Sequence, residues 1–302
     1  MTVLRTPDDR FKNLSGFSFQ PNYVEVQDED LGMLRIHYLD EGPVDGPVVL
    51  CLHGEPTWSY LYRKMIPVFT AAGCRVLAPD LVGFGRSDKP SERTDHTYSK
   101  HLRWMGDWIG ALGLKDITLL GQDWGGLLGL RLVAENPDLF ARFSLSNTGL
   151  PTGDHELNEA FHRWRKFSQE DPLFDTGFIV NLFGTGDLKD EEVEAYRAPF
   201  PADEYKAGAR QFPVLVPTDP DNPASEENRR AWKALMKWEK PALMCFSDAD
   251  PIMRGGDKPF LKLVPGTRGQ PHITLKGRHF IQEEDGENWA RAVVDWMQGA
   301  QG

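Results

Sequence analysis

The sequence predicts an α/β fold, a mainly parallel central sheet flanked by helices, interrupted once by a helical insertion. Over residues 1–150, short β-branched or apolar runs alternate with helical stretches, the pattern of strands joined by crossover helices. The alternation stops near Pro151, where prolines punctuate a helical and loop-like stretch, and resumes after Pro223. A glycine-rich turn lies between a strand-like run and a helix-like one, around Asp123.

The elements follow in order. Strand candidates are MLRIHYL around Ile36, PVVLCL around Val49 and CRVLAP around Val76. A helix from Tyr98 to about Ala111 precedes strand DITLLG around Thr118. Next come a helix from Trp124 to about Glu135 and strand RFSLSN around Leu145. After the break lie a helix around Trp232, strand PALMCFS, a helix past Lys258, strand HITLK and a last helix from Trp289. Residues 1–150 and 224–302 are therefore expected to form one core domain, and residues 151–223 a helical cap inserted into it.

Composition narrows the function. The chain has 302 residues, 40% hydrophobic and 26% charged, which is ordinary globular usage. Its 45 acidic against 34 basic residues give a formal charge of −11. Such a field repels phosphate backbones and anionic lipid, so neither nucleic acid nor membrane is an expected partner. The start, MTVLRTPDDRF, lacks the apolar stretch of a secretory signal, and no apolar run could span a bilayer. Cys51, Cys74 and Cys245 lie in strand-like runs without metal-site spacing and read as buried thiols. The expectation is a cytoplasmic, disulfide-free monomer.

The segment LLGQDWGGLLGL carries the chemistry. Small residues at Gly121, Gly125 and Gly126 surround Asp123, as in the strand-to-helix turn that lifts a nucleophile clear of an α/β-hydrolase sheet. Here the central residue is a carboxylate. At the N-terminus of the helix beginning at Trp124 its anion is favoured, by roughly 0.3–1 kcal/mol. It can attack an sp³ carbon without a base to activate it. The same residue could also be a plain helix N-cap.

An acid and a histidine follow in the order of that superfamily's triad. Strand PALMCFS runs into Asp248-Ala249-Asp250-Pro251, and strand HITLK leads through Gly277-Arg278 to His279. Both stretches fall at carboxyl ends of strands, where α/β proteins collect catalytic groups. Asp250 is preferred to Asp248 by analogy with the triad, although Asp250-Pro251 could also simply open a turn. His272 falls inside a strand pattern, and His96, His101, His155 and His162 occupy polar or helical stretches that suit surface or packing roles. Strand RFSLSN ends without a carboxylate.

With these residues placed, the chain resembles the haloalkane dehalogenases, specifically those with HGEP in the oxyanion loop and a late triad acid. His53-Gly54-Glu55-Pro56 followed by TWSYLYRKMIP is similar to that signature. So are RTPDDRF, HYLDEG, DLVGFGRSDKP, GQDWGG and GRHFIQEE, with AYRAPFP and YKAGARQFP inside the insertion. The resemblance spans nearly the whole length. It implies Asp123 as nucleophile, His279 as base and Asp250 as its partner. It implies an oxyanion hole from the backbone N–H groups of Glu55 and Trp124. It also implies a halide held between two indole N–H donors, Trp124 and, in FHRWRKFS, Trp164. Phe161, Trp164 and Phe167 or Ser168 are also spaced like a simple apolar helix face.

The implied reaction hydrolyses a haloalkane to an alcohol, halide and a proton, with no metal or organic cofactor; the partners are the haloalkane and the halide ion. The nearest alternative is an epoxide hydrolase, which shares the carboxylate, acid and histidine but needs tyrosines in the cap, for which Tyr196 and Tyr205 are available. A fluoroacetate-type dehalogenase would need a basic residue beside Asp123, which the motif lacks. A non-catalytic ligand receptor on this fold would not require the complete triad.

Overall fold

The computed structural model describes residues 2–299. In chain order its strands are β1 Val3–Leu4, β2 Asn22–Asp28, β3 Gly32–Glu41, β4 Val48–Leu52, β5 Arg75–Pro79, β6 Lys89–Pro90, β7 Ile117–Gln122, β8 Phe140–Ser146, β9 Ala242–Ser247 and β10 Ile273–Leu275. Its α-helices are α1 Ile66–Ala71, α2 Tyr98–Ala111, α3 Trp124–Glu135, α4 Glu159–Glu170, α5 Thr176–Phe183, α6 Asp190–Arg197, α7 Ala207–Leu215, α8 Ser225–Leu235, α9 Lys258–Leu263, α10 Ile281–Glu284 and α11 Gly286–Gly299.

Eight strands form one sheet in the order β10-β9-β8-β7-β4-β5-β3-β2, while β1 and β6 make a separate two-stranded ribbon. From β10 to β5 every neighbouring pair is parallel; β3 and β2 close one edge antiparallel. Strands buried on both faces must be apolar along their whole length. This is why VVLCL, ITLLGQ and ALMCFS read as nearly unbroken apolar runs. Successive side chains alternate between the faces. Leu50, Leu52, Leu119 and Met244 pack with α2, α3 and α8, and Val49, Cys51, Leu120 and Leu243 pack with α1 and α11. β2 was not anticipated: NYVEVQD lies at the sheet edge, where only Val26 and Asp28 are buried, so it lacks the apolar signature.

From β4 the chain crosses to β5 on one side, then returns to place β7 on the other. Connections leaving in opposite directions open a crevice at the carboxyl ends of β4 and β7. The chain between β8 and α8 forms α4, α5, α6 and α7. Asn158 starts α4 by accepting the Phe161 N–H at 2.9 Å. Buried Arg210 on α7 donates to the carbonyl oxygens of Asp171 at 2.8 Å and Ser168 at 3.2 Å, fastening α7 to the end of α4. Among the described residues no helix is long and apolar enough to cross a membrane, and no group of three His, Cys, Asp or Glu could hold a metal ion.

Candidate active site

Asp123 ends β7 and precedes α3 with φ 51° and ψ −129°. This is unusual backbone for a residue with a side chain and marks a strained turn. The turn closes only because its neighbours are small. A Cβ on Gly125 would come within 1.8 Å of the Leu52 carbonyl oxygen, and one on Gly54 within 2.2 Å of Asp123 Oδ1. The Asp123 side chain does not cap α3. It stands in the crevice instead, and the Glu55 N–H donates to its Oδ1 at 2.7 Å.

The loop bearing Glu55 is fixed from below. Buried His53 accepts the Leu81 N–H on Nε2 at 2.9 Å, so its proton lies on Nδ1, which donates to the Gly54 carbonyl at 2.8 Å. Burial holds the His53 pKa down and keeps the ring neutral for this dual role. Beside it Asp80 accepts the N–H groups of Ser59 and Arg86, each at 2.7 Å. Glu55 itself is 4% exposed, and its Oε1 has no partner. Burial, and then the charge of Asp123, push its carboxyl well above the usual range and favour its neutral form. Its side chain lines the crevice beside Asp123.

His279 follows β10 and turns both ring nitrogens to carboxylates. Nδ1 is 2.7 Å from Asp250 Oδ2, and Nε2 is 3.4 Å from Asp123 Oδ2. Burial alone would lower the imidazole pKa, but the charge of Asp250, the contact with Asp123 and the hydrogen bond to Asp250 raise it to about 10. Asp250 has no exposed surface. Burial pushes its pKa up, yet His279 and the N–H groups of Ile252 and Met253, at 2.8 and 3.1 Å, overcome this and hold it below the usual range. The alternative acid is elsewhere: Asp248 pairs with Lys276 at 2.7 Å on the surface.

Trp124 and Trp164 both line the cavity that contains Asp123 and His279. The Trp124 ring packs on Phe212 and Tyr98, with centroids 4.5 and 5.1 Å apart. Trp164 sits among Phe167, Phe174 and Phe183 at 5.5–6.0 Å. Among the described residues neither indole N–H has an acceptor; those of Trp108 and Trp238, which do not line the cavity, lack one too, whereas those of Trp58, Trp104, Trp232, Trp289 and Trp296 have one. The apolar helix face exists as well, since Phe161 and Ser168 are buried. Trp164, between them, is half-buried and faces the cavity.

The other candidates fall away from this centre. His272 accepts the Met244 N–H at 3.0 Å and bonds the Thr267 carbonyl, a packing role. His96 and His101 are buried, not on the surface, and hydrogen-bond each other at 3.2 Å. His155 is exposed at the cavity wall. Tyr196 is buried and donates to Glu283, and neither it nor Tyr205 lines the cavity.

Two residues at the centre, Asn147 and Gln122, carry no signal of their role in the sequence. Asn147, with φ 41°, accepts the Asp123 N–H on its carbonyl at 3.1 Å. Its Nδ2 donates to the carbonyls of Arg278 and His279 at 2.8 and 3.0 Å, and its Oδ1 accepts the Ser247 N–H and hydroxyl at 3.1 and 3.0 Å. Gln122 Nε2 donates to the His279 carbonyl at 3.1 Å. The ends of β7, β9 and β10 are thereby tied together. The only sequence cue was an asparagine at the end of RFSLSN, where an acid could have stood.

Residues 47–286 match the family model for the alpha/beta hydrolase fold. The chain is 56% identical to a haloalkane dehalogenase of Psychrobacter cryohalolentis over 298 residues, 98% of each chain. It is 51% identical to the haloalkane dehalogenase of Mycolicibacterium paratuberculosis over 99% of each. Among solved structures it is similar to the tetrameric haloalkane dehalogenase DpaA from Paraglaciecola agarilytica NO2, at 37% identity, with a TM-score of 0.87 over 96% of this chain and 97% of that one.

Proposed function

The chain belongs to the α/β-hydrolase superfamily and, within it, to the haloalkane dehalogenases, hydrolases acting on carbon–halide bonds, and from that membership we propose that it works through two half-reactions at Asp123. In the first, Asp123 Oδ2 attacks the halogen-bearing carbon in line. The new C–O bond forms as the C–halide bond breaks, and the halide leaves with the bonding electrons. The indole N–H groups of Trp124 and Trp164 replace the water that the leaving anion gives up. Their place in the wall of the cavity that contains Asp123, with no protein acceptor for either N–H, supports this role.

In the second half-reaction water attacks the Asp123 carboxyl carbon and gives a proton to His279 Nε2. Asp250 holds the ring and stabilises the imidazolium. Negative charge gathers on Oδ1, which already accepts the Glu55 N–H; the Trp124 N–H is its second donor. The intermediate collapses by breaking the bond between that carbon and Oδ2, His279 returns its proton to the leaving oxygen to give the alcohol, and the new Asp123 carboxyl, now carrying the water oxygen, releases its proton to solvent. The scheme uses only the chain's own side chains and backbone N–H groups, with water.

A histidine with a pKa near 10 is a poor base while Asp123 is charged. Alkylation makes Asp123 a neutral ester and removes its share of that stabilisation. His279 then falls toward neutrality at the step that needs a free base.

The observation that carries this reading is His279 standing between the two carboxylates, with Asp250 on Nδ1 and Asp123 on Nε2. We further read residues 151–223 as a cap on a core of residues 1–150 and 224–302, in the cytoplasm, and retain the monomer as the expected state. Light scattering tests the monomer against the tetramer of the Paraglaciecola relative. The epoxide-hydrolase alternative loses support because Tyr196 and Tyr205 do not reach the cavity. A panel of chloro-, bromo- and iodoalkanes with an epoxide control tests the reaction: halide release with no epoxide opening is expected, and the reverse overturns it.

A further inference from the structure

His279 stands on a short segment that its own carboxylates hold in shape. After β10 the Lys276 N–H donates to Asp285 Oδ2 at 2.8 Å, and the Arg278 N–H to Glu284 Oε2 at 2.5 Å. Residues 276–285 thus fold back on α10 as one mount for the imidazole. The third acid of this run, Glu283, is buried, and the reaction scheme gives it no part.

Both oxygens of Glu283 are engaged from two directions. Arg63 and Tyr196 donate to Oε1. Arg63 Nη2 donates to Oε2 at 2.9 Å, and Lys64 Nζ lies 2.8 Å from the same atom and donates to the Glu283 carbonyl at 3.0 Å. Burial alone would raise the Glu283 pKa, but the hydrogen bond and charge of Arg63, and then Lys64, hold it below the usual range. Arg63 and Lys64 follow the loop that bears Glu55, whereas Tyr196 lies on α6, which also sends Glu192 to Arg63 Nη2 at 2.7 Å. The mount is therefore clamped between the sheet side and α6.

A second tie runs beside the first. The His279 N–H donates to the carbonyl of Phe183, the last residue of α5, at 3.0 Å. α5 is fastened to α6 through Thr176, whose hydroxyl donates to the Tyr196 carbonyl at 2.8 Å. Stability is a poor reason for the Glu283 cluster, because well-packed apolar groups in place of a buried ion pair are often as stable or more so. What the cluster does fix is the place of α10, and with it the base.

We propose that Tyr196 and Glu283 are positioning residues for His279, holding α10 where the imidazole Nε2 faces Asp123. The tyrosine that an epoxide hydrolase would turn toward the cavity is turned here toward the mount of the base. The proposal rests on the reading of two half-reactions at Asp123. His279 takes no proton in the first of these, so loosening the clamp spares alkylation and slows hydrolysis of the ester. A misplacement of about 1 Å can cost on the order of 10²-fold in rate, and a partial shift correspondingly less.

The test is rapid-quench mass spectrometry with enzyme in excess over 1-bromobutane, which reads formation and decay of the alkyl-enzyme separately. Tyr196→Phe keeps the ring against Tyr60 and deletes only the donor to Glu283. Formation should proceed at the wild-type rate and decay about tenfold more slowly. Lys64→Met, on a partly exposed side chain, frees Oε2 and the Glu283 carbonyl and should show the same split. Tyr60→Phe is the matched control, since Tyr60 packs in the same aromatic cluster but donates to the Ser15 carbonyl at 2.7 Å. It should lower the melting temperature and leave both rates alone. Unchanged decay in a folded Tyr196→Phe or Lys64→Met protein, equal slowing of formation and decay, or the same split in Tyr60→Phe overturns the positioning role. Absence of an alkyl-enzyme from wild type and His279→Phe alike would instead overturn the covalent scheme beneath it.

Discussion

His279 Nδ1 lies 2.7 Å from Asp250 Oδ2, with the acid fully buried and the imidazole nearly so. This pair makes folding stability depend on pH in a definite direction. The folded-state pKa of His279 is raised to about 10, against about 6.5 in an unfolded chain. The folded protein therefore holds a proton that the unfolded chain releases as pH rises between those values. Its contribution to stability is fully present below about pH 6.5 and disappears as pH climbs through about 10. Denaturant melts at about pH 6, 8 and 10 should show wild type losing its advantage over His279→Gln along that interval. Parallel curves for the two proteins would show that the pair is not charged as described.

Asp123→Ala should remove halide release, by more than about 10⁴-fold, while leaving the thermal transition in place. The same substitution removes one of the two carboxylates that hold the His279 proton. The imidazole resonances should then titrate at lower pH than in wild type. Turnover close to wild type in a folded variant would remove Asp123 as nucleophile. An unshifted titration would break the proposed link between alkylation and the base.

Sequence patterns exposed much of this centre because its chemistry is written in local segments. GQDWGG contains both the carboxylate and the glycines without which the Gly125 backbone could not approach Leu52. Analogy with the triad already favours Asp250 over Asp248 in the sequence, but their spatial separation, Asp250 on His279 and Asp248 on Lys276, has no local pattern to announce it. Asn147 was illegible for a different reason. Its partners Ser247, Arg278 and His279 are about a hundred or more residues away in the chain, and an amide bonded to backbone carbonyls leaves no spacing motif. The acceptor-free indoles of Trp124 and Trp164 were equally hidden, because the sequence shows a tryptophan but not what its N–H meets.

Trp164→Phe keeps the aromatic bulk among Phe167, Phe174 and Phe183 and deletes only the N–H. A hydrogen bond to a charged group contributes about 1.5–3 kcal/mol, so turnover should drop roughly tenfold to a hundredfold. The loss should be larger for chloroalkanes than for bromoalkanes, because chloride is the poorer leaving group. Quenching of tryptophan fluorescence by added bromide should weaken as well. Equal kinetics and equal quenching would make Trp164 only a packing residue.

Asn147→Asp tests a positioning role. The substitution replaces the amide donor that holds the carbonyls of Arg278 and His279 with an oxygen that repels them. His279 should lose its alignment, while the Asp123 carboxylate keeps its bond from the Glu55 N–H. Hydrolysis of the ester should slow more than its formation, so rapid-quench kinetics should show a halide burst ahead of a slow steady state. A purely structural role would lower the melting temperature and leave the ratio of burst to steady state unchanged.

His279→Phe separates the two half-reactions most cleanly. If Asp123 attacks carbon directly, the first half-reaction needs no base, whereas hydrolysis of the resulting ester does. The variant should therefore release about one equivalent of halide per active site and then stop. The stalled protein should gain the mass of the alkyl group, on a peptide containing Asp123. Phenylalanine retains ring bulk beside Phe280, so substrate can still enter and the indoles of Trp124 and Trp164 stay in place. If His279 instead activated water for direct displacement at carbon, the variant would lose even the first turnover and form no adduct. The two mechanisms thus differ in a single-turnover measurement on one protein, and a folded, substrate-binding variant with neither burst nor mass gain would falsify the covalent route.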